Sequence, residues 1–373
     1  MSRIYLASPH MSDEKLEEKY VKEAFDTNWL STVGENINKF EESVQKYLNI
    51  KKAVGLSSGT SAIHLGLKAL GVEKDDIVFV SDLTFSASVN PIIYQNATPV
   101  FIDSEYETWN MDPKALEKAF KKYPNPKAVV VVHLYGRASK MKEIKEICKK
   151  YDVPLFEDAA EGLGTIYNGK FLGTFGKCSA LSFNGNKIIT TTGGGMLVTD
   201  DEEIAKKVKF WSTQSKDPAR YYQHSEIGYN YRMSNVLAGI GRGQMQVLEE
   251  RIAKKREIFE TYRKNLSDIK DIEFTLEKED ERSNRWLSCI TLRENSKVKP
   301  LDIIDALEKE NIESRLVWKP MHLQPVFEKH DFIKSYEKSV SEDLFKRGVC
   351  LPSDTKNTPE DMAKIIKIIR NLF

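Results

Sequence analysis

Cysteine is scarce in this chain, and its placement excludes several kinds of site. The 373 residues include only Cys148, Cys178, Cys289 and Cys350, which lie 30, 111 and 61 residues apart. These intervals match neither a zinc-binding cysteine pair nor a redox CxxC. We therefore expect four reduced thiols in or near the core of a protein from a reducing compartment.

A charge excess of one sign and long apolar runs are also missing. Lys and Arg number 56 against 55 Asp and Glu, so the net charge is +1, which is too small to hold a phosphate backbone or an acidic membrane. No run approaches the roughly 18 apolar residues that a membrane span needs, and the six histidines form no HExxH. We expect a cytoplasmic protein without a membrane span, a protein-held metal or a nucleic-acid partner.

From residue 51 onward, short β-branched runs alternate with helix-like segments. This alternation predicts a mainly parallel sheet covered by helices. The segments at 61–70 and 139–151 carry apolar residues at three- and four-residue steps, as amphipathic helices do. The predicted strands are AVGL (53–56), IVFV (77–80), PVFI (99–102), AVVVVH (128–133), PLFE (154–157), CSALSF (178–183) and GMLVTD (195–200).

The pattern also suggests three regions along the chain. Residues 1–50 contain two amphipathic helices and form an N-terminal arm, and residues 51–245 form a large domain. A long charged helix over 246–266 then introduces a smaller α+β domain that extends to residue 373. The 40% apolar composition is ample for cores of this size.

The first strand is followed by SSGTSA, a run of small residues that opens a helix. Free backbone N–H groups, the positive end of the helix dipole and the hydroxyls of Ser58 and Thr60 suit a phosphate. An ordinary N-cap turn is the alternative. No GK[ST] follows, and neither GLGTIY nor GIGRGQ has the GxGxxG spacing, so nucleotide hydrolysis and dinucleotide binding lose support.

Charged and aromatic side chains follow other strands. Asp158 ends a buried strand, where a carboxylate either caps structure or contacts a ligand, and Glu161 lies one turn later. Lys187 lies four residues past Phe183, in a loop where it is either solvated or a nucleophilic amine. Phe85, after the second strand, is either a core aromatic or a ring that stacks on a ligand.

Each of these signals is weak by itself, but together they describe one known kind of site. A phosphate cradle, an aspartate and a lysine, in that order at strand ends, are the parts of a pyridoxal phosphate site. The aspartate pairs with the pyridinium nitrogen and the lysine forms the Schiff base, so that the ring acts as an electron sink.

The sequence resembles the DegT-type nucleotide-sugar aminotransferases, which have the α/β fold of type I pyridoxal phosphate enzymes. Their mainly parallel sheet has helices on both faces and is followed by a smaller α+β domain. The resemblance spans nearly the whole chain and rests on NWLSTVGENINKFE, SSGTSAIHL, TFSASVNPI, VHLYG, EDAAEGLGT, SFNGNKIITTTGGGM, HSEIGYNYRMSNVLAGIGRGQ and KPMHLQPVF.

The resemblance implies a role for each matching residue. Lys187 becomes the Schiff-base lysine, Asp158 the partner of the pyridine nitrogen and Phe85 the stacking ring. Asn230, in GYNYR, reaches the phosphate of the neighbouring subunit, so the implied unit is a homodimer with shared sites; the alternative for GYNYRMS is a tight turn before a helix. Ser58, Gly59, Thr60, Ser182 and Glu161 complete the implied cofactor contacts.

Two positions distinguish this chain within the resemblance. Many relatives have Gln or His where this chain has Glu161, beside the cofactor hydroxyl, and we interpret the carboxylate as a subgroup marker. The family's sugar dehydratases replace the Schiff-base lysine with histidine, whereas position 187 here is lysine. Transamination is therefore favoured over dehydration.

The most similar branch acts on a UDP-linked 4-keto-6-deoxy N-acetylglucosamine, with L-glutamate as amino donor. The implied product is UDP-4-amino-4,6-dideoxy-N-acetylglucosamine for bacterial glycan or exopolysaccharide synthesis. Trp29, Arg232 and His322 are the candidate sugar contacts, with a packed aromatic, a surface ion pair and a capped histidine as their alternatives. Two other functions stay open, namely a transaminase for another keto-sugar or a cyclitol, and a pyridoxal phosphate-binding scaffold without turnover.

Overall fold

The computed structural model describes residues 3–373, and each helix predicted from the apolar periodicity is present. The two arm helices are separated by the NWLSTVG turn, and the long charged helix is present. Within the described range the helices are α1 (Leu16–Asp26), α2 (Glu35–Leu48), α3 (Gly59–Ala69), α4 (Asn90–Tyr94), α5 (Pro113–Lys122), α6 (Met141–Lys150), α7 (Glu202–Ser212), α8 (Asn235–Gln246), α9 (Leu248–Leu266), α10 (Pro300–Lys309), α11 (Val340–Arg347) and α12 (Pro359–Arg370).

The strands include every one predicted from the β-branched runs. They are β1 (Lys52–Leu56), β2 (Ile77–Ser81), β3 (Thr98–Ile102), β4 (Ala128–Val132), β5 (Leu155–Asp158), β6 (Ile166–Tyr167), β7 (Lys170–Phe171), β8 (Cys178–Ser182), β9 (Gly195–Thr199), β10 (Ile272–Phe274), β11 (Glu281–Arg282), β12 (Ser288–Leu292), β13 (Arg315–Leu316), β14 (Phe332–Ile333) and β15 (Gly348–Leu351).

The largest sheet has eight strands in the order β1-β9-β8-β5-β4-β2-β3-β14. Strand β9 runs antiparallel to β1 and β8, and every other pair is parallel. Along β2, Val78 and Val80 belong to the core that includes α3 and α7, whereas Phe79 belongs to the core that includes α5 and α6. Since successive side chains of a strand point to opposite faces, helices cover both faces, which confirms the predicted fold class.

The C-terminal part builds a second, antiparallel sheet of four strands in the order β10-β12-β15-β13. Its apolar core joins α9, α10 and α12 to the sheet through residues such as Tyr262, Ile290, Ile303 and Ile365. Two short strands of the C-terminal part pair with strands from residues 51–245 instead of joining the second sheet. Strand β14 pairs with β3 of the large sheet, and β11 pairs with β6. The division after residue 245 therefore stays a proposal.

The arm helices pack against α8, whose sequence includes the glycine-rich run GIGRGQ. A Cβ at Gly241 would lie 2.6 Å from the Phe40 ring of α2, and one at Gly243 would lie 2.7 Å from the backbone nitrogen of Glu17 in α1. These glycines therefore let three helices approach closely. GIGRGQ is a helix-packing motif, which explains why it lacks the spacing of a nucleotide loop.

All four cysteines are free and buried. Cys289 and Cys350 are register partners on β12 and β15, with their sulfur atoms 3.6 Å apart. Across residues 3–373, none of the helices has both the length and the apolar character needed to cross a membrane.

Candidate active site

A cavity of about 390 Å³ lies where the carboxyl ends of β4, β5 and β8 meet the N-terminus of α3. Ligands gather at such strand ends in open α/β sheets. Part of its wall comes from the C-terminal part of the chain, through Trp286, Trp318 and Cys350. The cavity brings together eight of the nine predicted cofactor residues, namely Ser58, Gly59, Thr60, Phe85, Asp158, Glu161, Ser182 and Lys187.

The N-terminus of α3 forms one end of this cavity. Ser58 caps the helix, because its Oγ accepts a hydrogen bond from the Ser61 amide at 3.0 Å. A Cβ at Gly59 would lie 3.1 Å from Cβ and 3.3 Å from Oγ of Ser182, so any side chain there would crowd the space between the helix and β8. Free helix amides beside the hydroxyls of Thr60 and Ser182 are the donors that an anion needs. The cradle therefore fits the phosphate of the predicted cofactor.

Asp158 lies at the end of β5 and is only 3% exposed. Its Oδ2 accepts a hydrogen bond from Ser88 Oγ at 2.6 Å, and its Oδ1 accepts one from the Ala160 amide at 3.1 Å. Ser88 Oγ is also 2.6 Å from Thr84 Oγ1. These contacts hold the carboxylate in one orientation at the cavity wall, where it can pair with a protonated ring nitrogen.

Lys187 and Glu161 face each other across the cavity floor. The Lys187 Nζ lies 3.3 Å from Glu161 Oε1 and 4.2 Å from the ring centroid of Trp286. Glu161 Oε2 accepts a hydrogen bond from the Tyr135 amide at 2.6 Å. Burial raises the pKa of Glu161 to about 7, although the nearby Lys187 charge opposes the rise. Glu161 can therefore gain or lose a proton near neutral pH, beside the lysine amine.

Aromatic rings also line the cavity. Phe85 is 58% exposed, with its ring centroid 5.6 Å from that of Trp318. The Trp318 amide donates to the Tyr135 hydroxyl at 3.0 Å, and Trp286 Nε1 donates to the carbonyl of Asn186 at 2.7 Å. The last bond joins the C-terminal part of the chain to the residue before Lys187. An exposed ring such as Phe85 can stack on a planar ligand.

Sequence reasoning missed several of these side chains. Ser88 and Thr84 flank Phe85 in the loop after β2. Two hydroxyl side chains close to the end of a strand are the one feature of the sequence that could have identified them as site residues. Trp286 begins the WLSCITL run, which indicates only a strand, and Trp318 lies in LVWKPMH. No local pattern relates Trp286 to Lys187, because a contact across nearly 100 residues depends on the tertiary fold.

Two of the predicted sugar contacts lie outside the cavity and are held by carboxylates. Arg232 Nη1 is 2.5 Å from Glu41 Oε1 and donates to the Gly55 carbonyl at 2.9 Å, so it joins β1 to α2. His322 Nδ1 is 2.8 Å from Asp82 Oδ2, and its ring stacks on Phe332 at 3.9 Å. These placements do not support a sugar contact within one subunit, because both side chains already have buried partners.

Two further predicted residues lie on the surface of the chain. Trp29 is 56% exposed, and Asn230 is exposed. Neither lines the cavity. Exposure is what a contact with a neighbouring subunit requires, so the roles of Trp29 and Asn230 stay predictions.

A match over almost the full length of the chain identifies the protein family. The family model described as the DegT/DnrJ/EryC1/StrS aminotransferase family matches residues 11–370. The chain belongs to this aminotransferase family. The predicted family and enzyme class are therefore confirmed.

Individual relatives of this family member also match over most of their length. EpsN of Bacillus subtilis (strain 168), named as a candidate pyridoxal phosphate-dependent aminotransferase, is 48% identical, over 100% of this chain and 96% of the relative. A GDP-perosamine synthase of Escherichia coli O157:H7 is 37% identical, over 96% of this chain and 95% of the relative. A UDP-4-amino-4,6-dideoxy-N-acetyl-beta-L-altrosamine transaminase of Campylobacter jejuni is 31% identical, over 90% and 89%.

A solved structure agrees with the architecture of the aminotransferase described here. A DegT DnrJ EryC1 StrS aminotransferase from Brucella abortus superposes with a TM-score of 0.89 at 26% identity, over 96% of this chain and 95% of the other. The two chains therefore share their fold across both sheets.

Proposed function

We propose that this aminotransferase moves the amino group of L-glutamate to C4 of a UDP-linked 4-keto-6-deoxy N-acetylglucosamine. The product is UDP-4-amino-4,6-dideoxy-N-acetylglucosamine, for bacterial glycan or exopolysaccharide synthesis. One observation supports the chemistry above all others. The capped helix at Ser58, the fixed carboxylate of Asp158 and the amine of Lys187 converge in a single cavity.

The predicted cofactor, pyridoxal phosphate, is confirmed at the level of the family, since a relative that spans the whole chain is named for it. When bound, this group supplies an electron-withdrawing ring that stabilises negative charge on the carbon beside the amine. The helix N-terminus at Gly59 and Thr60 would hold its phosphate. Asp158 would keep its ring nitrogen protonated, and Phe85 would stack on the ring.

Lys187 performs the proton transfer. Its amine would hold the cofactor and, once the amino donor has released it, would move the proton at the donor's α-carbon. Glu161 lies 3.3 Å from that amine and changes charge near neutral pH. In this proposal Glu161 therefore offsets the charge of Lys187 when the amine is free and protonated.

The proposal also specifies which nucleotide the sugar substrate carries. The segments TWNMDP (108–113), QHSEIGYNYR and SFNGNKIITT resemble those of the branch that acts on UDP-linked sugars, and the Campylobacter relative is named for a UDP-linked product. The GDP-perosamine synthases are more similar, at 34–37% identity against 31%. A GDP-linked keto-sugar is therefore the second candidate, and both belong in the same assay.

A homodimer with shared sites is also part of the proposal. Large apolar side chains are exposed on the two surface segments that hold the predicted inter-subunit contacts. Phe25, Trp29 and Val33 lie on the first, and Tyr222 and Ile227 lie on the second, close to Asn230. Such apolar exposure is typical of a surface that another protein covers.

Stepwise absorbance spectroscopy tests the reaction and the sugar together. The purified protein should show a visible cofactor band that L-glutamate moves to the near ultraviolet. The UDP-linked keto-sugar should then restore the band, and the GDP-linked keto-sugar should not. Lys187→Ala should abolish both changes, whereas Lys207→Ala, at an exposed position of α7, should behave as the wild type.

Each other outcome has a definite meaning for the proposal. Restoration by the GDP-linked sugar alone would replace the proposed nucleotide, and no restoration by either would reject both sugars. A cofactor band without any response to glutamate would support the scaffold alternative. No band after incubation with pyridoxal phosphate would overturn the proposed function.

A further inference from the structure

Behind Lys187, on the side away from the substrate cavity, the chain leaves a second and much smaller void of about 10 Å³, which is partly open to solvent. That is about the room needed by a single water-sized particle. Four separate parts of the chain surround it, namely the N-terminal segment, the turn that bears Lys187, the adjoining ends of α8 and α9, and the loop before α12. The lining residues are Ser8, Pro9, His10, Lys187, Ile188, Thr190, Gln244, Arg251, Lys255 and Thr355.

The lining of this void is positively charged. It includes Lys187, Arg251 and Lys255 together with His10, and no carboxylate belongs to it. Glu161 faces Lys187 from the substrate cavity. Asp354 is nearby but is already engaged by His10 and Ser8. Although burial acts to raise the pKa of Asp354, these hydrogen bonds lower it to about 2, so this carboxylate is ionised and paired.

Two cations at the void, one buried and one partly buried, have unused hydrogen-bond donors. Lys255 is 4% exposed, and its Nζ donates to the Ser353 carbonyl at 2.6 Å, which uses one of its three N–H groups. The Nε of Arg251 is buried, and within residues 3–373 it has no hydrogen-bond partner. Its guanidinium is held elsewhere, by the Met11 carbonyl at 3.1 Å and by Glu250 at 3.8 Å.

Gln244, whose amide also lines the void, does not satisfy these donors. The Gln244 side-chain oxygen already accepts from the Thr190 amide at 3.1 Å, and its nitrogen donates to the His10 carbonyl and to Glu17. The Nε–H of Arg251 and two N–H groups of Lys255 therefore remain. Leaving such donors unsatisfied in a buried site is costly, more so when they are charged.

We propose that this void binds one monatomic anion, chloride under ordinary conditions, between Lys255 and Arg251. A water molecule has two acceptor lone pairs for three or more donors, whereas a halide accepts from all of them and also offsets their charge. Sulfate and phosphate are too large for the volume. The anion links the N-terminal segment and α9 to the turn that bears Lys187, without touching the substrate.

The charge state of Lys255 is compatible with such a ligand. Burial lowers the pKa of Lys255 to about 8, against an opposing effect of Asp354. The ammonium is therefore protonated at neutral pH and can bind an anion. An anion in the void stabilises the charged form further.

The first test is the thermal stability of the cofactor-loaded protein at constant ionic strength. Potassium gluconate is replaced stepwise by potassium chloride, because gluconate cannot enter a void of this size. We expect the melting temperature to rise and saturate, by about 3 °C when chloride exceeds its dissociation constant a hundredfold. A melting temperature that is equal in the two salts would overturn the proposal.

A matched pair of lysines on one helix provides the control. Lys255→Met removes the buried cation at similar length and should abolish the chloride dependence. Lys254→Met, at a partly exposed position that pairs with Glu257 at 3.1 Å, should retain it. If the chloride dependence survived in Lys255→Met, the anion would be bound elsewhere and the proposed site would be wrong.

The location is tested directly by diffraction from crystals of the wild type soaked in bromide, which does not depend on any variant folding. An anomalous peak between Lys255 Nζ and Arg251 Nε would support the proposal. A peak-free site that contains only water, or peaks confined to the protein surface, would refute it.

Discussion

Replacing Glu161 by glutamine should change how the stability of the cofactor-free protein depends on pH. In the folded chain the Glu161 carboxyl is buried, and its pKa of about 7 lies well above the ordinary value of 4.5. Between these two pH values the folded state keeps a proton that the unfolded state releases, so stability falls as pH rises. Below about pH 4.5 both states are protonated, and the full stability is present.

The expected size of the effect follows from this difference. At about 1.4 kcal/mol per pKa unit, the wild type should lose about 3 kcal/mol of unfolding free energy through this group between pH 4.5 and pH 7.5. Glu161→Gln has no carboxyl there and should lack this part of the slope. Other titrating groups act equally in both proteins, so the difference between the two stabilities isolates Glu161.

The assay is urea unfolding of both proteins, freed of cofactor, at half-unit steps from pH 5 to pH 8. The free energy of unfolding of the wild type relative to Glu161→Gln should fall from pH 5 to about pH 7 and level off above it. Glu146→Gln, at an exposed position on α6, is the control and should parallel the wild type. A difference between wild type and Glu161→Gln that stays constant with pH to within about 0.5 kcal/mol would refute the reasoning.

Three further substitutions test the site and the packing. Asp158→Asn should lower kcat at least about 100-fold, because a neutral amide cannot keep a ring nitrogen protonated; near wild-type turnover would contradict the assigned role. Ser88→Ala removes the 2.6 Å hydrogen bond to that carboxylate and should reduce kcat about tenfold, whereas Ser86→Ala, in the same loop, should have little effect. Gly241→Ala brings a Cβ to 2.6 Å from the Phe40 ring and should lower the unfolding free energy by about 1–3 kcal/mol; an unchanged urea midpoint would argue against the close helix contact.

Local sequence determined the elements and the order of the main groups of the site. The β-branched runs are buried on both faces of a parallel sheet, as at Ala128–Val132, so their pattern alone identifies them. Ser58 and Asp158 come within two residues of the end of such a run, and Lys187 comes four residues after one. Because the carboxyl ends of parallel strands share one edge, their convergence could be predicted without a structure.

The partners of those groups were decided by the tertiary structure. Ser88 reaches Asp158 across 70 residues, and Trp286 reaches Lys187 across nearly 100, and no periodicity relates positions so far apart. Glu161 was predicted at the site, yet its unusual pKa results from burial, which only the folded chain produces.

The predicted sugar contacts also show that sequence alone does not determine the partner of a side chain. Arg232 and His322 are the types of residue that bind a sugar nucleotide, and the sequence left an ion pair and a capped histidine open as alternatives without identifying a partner for either. The fold places Glu41 beside Arg232 and Asp82 beside His322. A local motif therefore identified the chemical type of these side chains, whereas long-range packing determined what they contact, because a side chain binds whichever partner the rest of the chain brings near.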